Sequence, residues 1–212
     1  IFLGYLVGIS SVNVPHWDEW DFVLPLFQKI EAGNPINFHL LWPESGEHVI
    51  VVPQVLILII GEITNLNFSA LHWSNLFFVG LAFLLMVSAV NQEVGFSTVA
   101  KLFVILVISI IQFSLEPVGV YLWGMSLYIY ITLFLCALCA LILSRTSMTF
   151  WGMATILLVN FMALLTSING LALVAISIVI SVLKGRETKQ PLWWIVGSVS
   201  LAQLLAMIVL LS

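Results

Sequence analysis

The chain has 212 residues, of which 62% are hydrophobic and 8% are charged, and its formal net charge is −4. Ordinary soluble domains carry roughly 25% charged residues, so this composition excludes a water-soluble fold and predicts an integral membrane protein. The apolar runs are continuous instead of alternating, which favours membrane-spanning helices over a β-barrel. The sequence has no basic patch, and we do not expect nucleic acid as a partner.

The first apolar run, residues 1–12, is too short to cross roughly 30 Å of hydrocarbon. We interpret it as part of a span, and residues 191–212 likewise, so that 1–212 is expected to be one transmembrane domain truncated at both ends. A cleaved signal peptide is the competing interpretation of the first run, although that run lacks a basic n-region and a cleavage pattern.

A polar segment at residues 13–47 interrupts the apolar sequence. Residues 15–48 hold seven of the sixteen charged residues and three of the four histidines, so any chemistry is expected in this segment. Within it, an amphipathic helix is predicted to begin near Asp21–Leu24, because Pro25 disfavours a helix interior, and to end at Gly33. Its apolar face is predicted to carry Trp20, Val23, Leu24, Phe27 and Ile30.

The next segment, residues 48–64, is predicted to be a second helix that rests in the membrane interface without crossing. Glu47, Gln54 and Gly61 recur at a seven-residue spacing. They form a narrow polar stripe on an otherwise apolar helix, which Pro53 interrupts.

Six spans are predicted after the loop and its juxtamembrane helices, residues 13–65. At a rise of 1.5 Å per residue the apolar stretches reach across a bilayer, and the long stretch 146–183 divides at its turn-like cluster, 166–170. The predicted fold class is therefore all-α, a polytopic transmembrane helical bundle. The spans are 66–90, 99–115, 119–144, 148–165, 169–184 and 191–212.

Basic residues predict the orientation of these spans. We place loop 13–47 outside the membrane and assume that residues 48–64 do not cross it. Lys101, Arg145 and the three cations of 184–189 then all lie on the inner side. The positive-inside rule favours this arrangement over its reverse. We therefore expect a multi-pass protein of the cytoplasmic membrane whose first loop is extracytoplasmic.

Asp18 and Glu19 are the candidate catalytic residues, on the wall of a cleft with a lipid floor. A carboxylate there can accept the proton of an acceptor hydroxyl that attacks an anomeric carbon. Partial desolvation by Trp17 and Trp20 would raise the pKa of that carboxyl and make it a better base. The competing interpretation is structural: Asp21 caps the following helix, which is favoured over chemistry for this residue, and Asp18 caps a short turn. The tryptophans then belong to an aromatic belt.

Glu47 and His48 are either a substrate-contacting pair or only the first turn of the second helix. The loop histidines with Glu44 and Glu47 offer metal ligands, but their spacing matches no standard zinc signature. We therefore predict no cofactor, with a divalent metal as the alternative. Cys136 and Cys139 form a CxxC spacing inside an apolar span and are expected to be buried core residues.

Several polar positions are predicted to lie within or at the ends of spans. Asn160 and Asn169 are expected to make hydrogen bonds between helices, with 167–170 also able to reach the outer site. Trp123 and Gly124 mark the outer end of a span and are predicted to lie beside the same cleft.

The segment Asp18-Glu19-Trp20-Asp21 and the stretch 41–50, Leu-Trp-Pro-Glu-Ser-Gly-Glu-His-Val-Ile, carry a family resemblance. Together with the topology, they resemble the GT-C membrane glycosyltransferases, which include protein O-mannosyltransferases and the bacterial aminoarabinose transferases of lipid A. One uncharacterised bacterial set is similar in having a DEWD-like segment followed by Leu-Trp…Asn-Glu-His-Arg-Ile. The two motifs fall within residues 18–50, and only the topology covers the rest of the chain.

The resemblance implies transfer of a sugar from a polyprenyl-phosphate donor to an unidentified glycan, lipid or protein acceptor at the bilayer surface. It makes Asp18 the base, with Glu19 supporting it or holding the acceptor. Val49 departs from the family pattern, which has arginine there. The lipid phosphate would then need another partner, which is expected to be Lys29, His48, a helix N-terminus or residues beyond Ser212. The substrate-binding candidates are Trp17, Trp20, Asp21, Glu47 and His48.

Two other classes of function stay open. A transporter or flippase for a lipid-linked or amphiphilic substrate is the main alternative, although carriers usually place ionisable residues within their spans, near the midplane. A non-catalytic membrane assembly subunit is the other, and for it Asp18 would be dispensable.

Overall fold

A computed structural model describes residues 2–15, 19–42, 50–93, 95–113, 118–145 and 147–211. Within these ranges every regular element is a helix, which confirms the all-α prediction. A 3₁₀ turn, Gly124–Ser126, directly precedes α8. The α-helices are α1 (Phe2–Ser10), α2 (Glu19–Glu31), α3 (Phe38–Leu41), α4 (Val51–Thr64), α5 (Phe68–Gln92), α6 (Thr98–Gln112), α7 (Val118–Tyr121), α8 (Leu127–Leu143), α9 (Phe150–Leu164), α10 (Asn169–Thr188) and α11 (Pro191–Leu211).

Among the described residues, four helices are long and apolar enough to cross a membrane. They are α5, the 3₁₀ turn continued by α8, α10, and α11. The prediction of a polytopic helical membrane protein is thereby confirmed. The predicted spans 66–90, 169–184 and 191–212 correspond to α5, α10 and α11.

Two helices, α6 and α9, are shorter than the spans predicted at 99–115 and 148–165. Each has 15 residues, which is about 22 Å at 1.5 Å per residue, against roughly 30 Å of hydrocarbon. Helix α9 ends at Leu164 and α10 begins at Asn169. The division predicted at 166–170 is therefore confirmed.

The bundle has two distinct ends, because α5, α8 and α10 point in the same direction. Asn75, near the start of α5, donates to the carbonyl of Trp123, just before α8. Lys184, near the end of α10, donates to the carbonyls of Ser144 and Arg145, just after α8. The cations that follow these helices therefore share one end, and α2 lies at the other. The cytoplasmic location of the basic end stays a prediction.

A chain of polar side chains links α8, α9, α10 and α11 inside the bundle. Asn160 Nδ2 donates to Ser200 Oγ at 2.9 Å, and Asn160 Oδ1 accepts from Ser177 Oγ at 3.1 Å. Cys139 Sγ lies 3.2 Å from the same Ser177 oxygen. The predictions of an interhelical Asn160 and a buried Cys139 are confirmed, whereas Asn169 lies exposed at the start of α10.

We expect Asn160→Ala to lower the free energy of unfolding by about 1–2 kcal/mol, since it leaves Ser177 and Ser200 without their amide partner in an apolar interior. The matched control is Asn169→Ala, which removes an exposed amide and should leave stability unchanged. Unfolding in a mixed-micelle titration measures both variants. Equal stabilities would contradict a structural role for the polar chain.

Helix α2 begins at Glu19, earlier than predicted, and contains Pro25 in its interior. The predicted start near 21–24 is therefore wrong. Proline removes the helical hydrogen bond to the carbonyl of Asp21, which lies in the exposed first turn, where water can replace the lost donor. The predicted end is confirmed, because Gly33 has a φ of +88° and donates to the carbonyl of Ile30 at 2.9 Å.

Helix α4 turns its predicted polar stripe toward other helices. Gln54 and Gly61 are both buried, and the ring of Phe27 from α2 lies directly against Gly61. Pro53 lies in the first turn, where its missing N–H costs no helical hydrogen bond, so the prediction that it interrupts the helix is wrong. The exposed face is mostly apolar and consists of Val55, Ile59, Glu62 and Ile63.

Candidate functional site

Glu19 occupies the buried face of α2. Its side chain is 0% exposed, and it shares that face with Val23 and Leu26, four and seven residues further along the helix. The predicted apolar face is therefore rotated, because Trp20 is 56% exposed. The helix inserts one carboxylate into the bundle and leaves its neighbouring tryptophan on the surface.

Two polar groups from distant parts of the chain lie close to Glu19. The backbone N–H of Gly124 donates to Glu19 Oε1, and His72 Nε2 lies 3.9 Å from the same oxygen. The other ring nitrogen of His72, Nδ1, lies 2.7 Å from Ser11 Oγ. At the junction of α2, α5 and the end of α1, the Glu19 carboxylate and the Ser11 hydroxyl thus lie near different nitrogens of the His72 ring.

The path of the chain before α8 explains why Gly124 offers a free N–H. Helix α7 ends at Tyr121, and the next regular turn begins at Gly124. Asn75 Nδ2 donates to the carbonyls of both Tyr121 and Trp123, at 3.1 and 2.9 Å, and so satisfies the broken backbone. The span predicted at 119–144 is therefore interrupted here.

The carboxylate of Glu19 lies at the amino end of the unit formed by the 3₁₀ turn and α8. Unpaired N–H groups and the helix dipole make such an end favourable for negative charge. Gly124 permits the contact, because a Cβ at this position would lie 2.6 Å from Glu19 Oε1 and 3.0 Å from the side chain of Leu71. Burial of a carboxylate without such partners would be costly.

Two buried oxygen atoms close to this junction keep unused hydrogen-bonding capacity. Asn75 Oδ1 and Ser126 Oγ are buried and have no hydrogen-bond partner among the residues that the structure describes. The described part of the chain contains no group of three or more His, Cys, Asp or Glu side chains that could hold a metal ion.

The structure places only some of the predicted site residues. Glu19 is buried, while Trp20 and Asp21 are exposed on the first turn of α2. Asp21 is the third helical residue, so it does not occupy the capping position predicted for it. The other predicted residues, Trp17, Asp18, Glu47 and His48, lie outside the described residues, as does Glu44.

Sequence reasoning missed His72, Asn75 and Ser11 as members of the site. The first two are polar residues inside the long apolar run 66–90 and share one face of α5, three residues apart. That spacing is the signal from which they could have been found. Gly124, predicted with Trp123 to lie beside the same cleft, donates a hydrogen bond to Glu19; the cleft itself stays a prediction.

No protein-family model, curated protein or solved structure matches the chain. The residues of the site and the two motifs of the polar segment are therefore the basis for a functional proposal.

Proposed function

We propose that the chain is a membrane glycosyltransferase resembling the GT-C enzymes, which moves a sugar from a polyprenyl-phosphate donor to an acceptor on the extracytoplasmic face. The observation that carries this proposal is the pair of adjacent carboxylates where α2 begins. Glu19 is buried against the bundle beside His72. Asp18 directly precedes Glu19 in the sequence, so an anchored residue adjoins the proposed base.

In the proposed reaction, the Asp18 carboxylate accepts the proton of an acceptor hydroxyl while that oxygen attacks the anomeric carbon of the donor sugar. The bond between this carbon and the phosphate oxygen breaks, and the polyprenyl phosphate leaves with the electron pair. Displacement is direct, so the configuration of the anomeric carbon inverts and no covalent sugar–protein intermediate forms.

Two described residues of α2 are suited to substrate contact. The exposed ring of Trp20 can stack on a sugar face, and Lys29, in the last turn, supplies a cation for the lipid phosphate. The family resemblance implies that Glu47 and His48 face the donor or the same cleft. Lys29 would then stand in for the arginine that the related pattern carries where this chain has Val49.

The test is sugar transfer by the full-length protein. Membranes from cells that produce it and from cells that lack it are incubated with radiolabelled polyprenyl-phosphate sugars. We expect the label to leave the lipid and appear in a glycan, lipid or protein acceptor only where the protein is present. Absence of transfer from every donor sugar tested would contradict the proposal.

A carrier of lipid-linked substrates is the second candidate, and the buried His72 favours it. Membrane carriers commonly hold ionisable side chains within their spans, and His72 is buried inside α5, near Glu19. In liposomes, a carrier would move the labelled lipid between leaflets with its sugar–phosphate bond intact. An assembly subunit would neither cleave nor move it.

A further inference from the structure

We propose that Glu19, His72 and Gly124 form an anchor that holds the start of α2 against the bundle and thereby positions Asp18. We call these three residues the α2 anchor. Its role in positioning rests on the proposed function, whereas its role in holding α2 does not. His72 and Gly124 would then be positioning residues that act through Glu19 and do not touch substrate.

Glu19 is completely enclosed by the bundle. A carboxylate transferred out of water loses a large hydration energy unless charge and hydrogen bonds compensate it. Here the compensation comes from the N–H of Gly124 and the amino end of α8, with the His72 ring close by. These partners belong to α5 and to the start of α8, which pack against each other. The first turn of α2 is therefore fixed to two helices of the bundle.

The N–H of Gly124 is itself held in place. Asn75 binds the carbonyls of Tyr121 and Trp123 on the amino side of the glycine. Its amide thus fixes the direction in which the chain enters the 3₁₀ turn. The anchor consequently has a rigid receiving surface, which a device for positioning requires.

Different contacts hold the two halves of α2 against the bundle. Further along the helix, Phe27 lies against Gly61 of α4, and Leu26 is buried with it. Breaking the anchor should therefore free the first turn while the second half stays docked. The expected consequence is local opening near Val23 with little loss of global stability.

The first measurement needs no enzymatic activity. Val23 is 1% exposed, so a thiol introduced by Val23→Cys should react slowly with a bulky maleimide in the detergent-solubilised protein. Gly124→Ala pushes a methyl group against the Glu19 carboxylate and Leu71. We expect it to speed labelling at least about tenfold, since overpacking of this kind destabilises the docked arrangement. The chain without Val23→Cys gives the background from the native cysteines.

Two further variants keep the proposal falsifiable if Gly124→Ala folds poorly. His72→Gln retains a polar side chain but removes the imidazole, and we expect it also to speed labelling. Gly119→Ala is the matched control, because a Cβ at Gly119 meets nothing within 4 Å, and its labelling should equal that of the parent. Unchanged labelling in both Gly124→Ala and His72→Gln would overturn the anchor.

The second measurement tests positioning. In the sugar-transfer assay, Gly124→Ala should lower kcat at least about tenfold with little change in KM for the donor, because misplacing the base affects chemistry more than binding. Faster labelling with an unchanged kcat would overturn the positioning role. If the parent protein transfers no sugar while labelling still responds as expected, the proposed function fails and the anchor stands.

Discussion

Asp18→Asn is expected to lower kcat for sugar transfer by about 10²- to 10⁴-fold, the contribution of a positioned general base. Asparagine has nearly the same shape as aspartate but cannot accept the proton of the acceptor hydroxyl. KM for the polyprenyl-phosphate donor should stay near its original value, because an interaction made only in the transition state is lost. Initial rates at saturating donor, with matched amounts of protein in the membrane, provide the measurement.

The control for this prediction is Glu31→Gln, at the last residue of α2. Glu31 is exposed and has no proposed part in the reaction, so this substitution removes only a surface carboxylate from the same helix. Transfer by Glu31→Gln should therefore stay within a few-fold of the parent rate. Full transfer by Asp18→Asn, or an equal loss in both variants, would remove Asp18 as the base.

The long helices could be predicted because their signal is local. Continuous apolar runs predict spans by length alone, and the turn residues of 166–170 predict the division between α9 and α10. The interruption at 122–123 has no comparable local signal, since Trp123 and Gly124 sit in an apolar run. Its backbone is satisfied by Asn75, which lies more than forty residues earlier in the chain. A contact of that separation cannot be read from the run itself.

The site was predictable as a segment, but the roles of its residues were not. The concentration of carboxylates in residues 15–48 marks where α2 begins. Whether Glu19 is buried depends on where the helix begins. A helix assumed to start after Glu19 leaves this residue outside it and gives no information on its burial. Had the helix been extended toward its amino end as far as Glu19, the spacing of Glu19, Val23 and Leu26 would have placed all three on one face.

The same limit applies to the second amphipathic helix. Gln54 and Gly61 form a polar stripe by composition, and a stripe on an isolated helix predicts a face toward water. In the structure the stripe is where Phe27 of α2 packs, since a glycine leaves room for an aromatic ring. Small and polar residues on a membrane helix therefore indicate contact with protein as readily as contact with water.

Gly170, at the start of α10, packs directly against the backbone of α9. A Cβ at Gly170 would overlap the carbonyl group of Ala163 and lie 2.9 Å from the nitrogen of Leu164. These are backbone atoms and cannot rotate away, so the helices must separate. We expect Gly170→Ala to lower the free energy of unfolding by about 1–3 kcal/mol, seen as a lower midpoint of thermal unfolding in detergent.

The matched control is Gly80→Ala in the middle of α5, where an added Cβ meets nothing within 4 Å. Alanine is the better helix former by about 1 kcal/mol in an exposed helix, so this variant should unfold at the same temperature as the parent or a higher one. The opposite signs separate steric overlap from the helix propensity that both substitutions share. If Gly170→Ala were as stable as Gly80→Ala, the close approach of α9 and α10 would not contribute to stability. Labelling of Val23→Cys should stay slow in Gly170→Ala, since the substitution lies outside the α2 anchor.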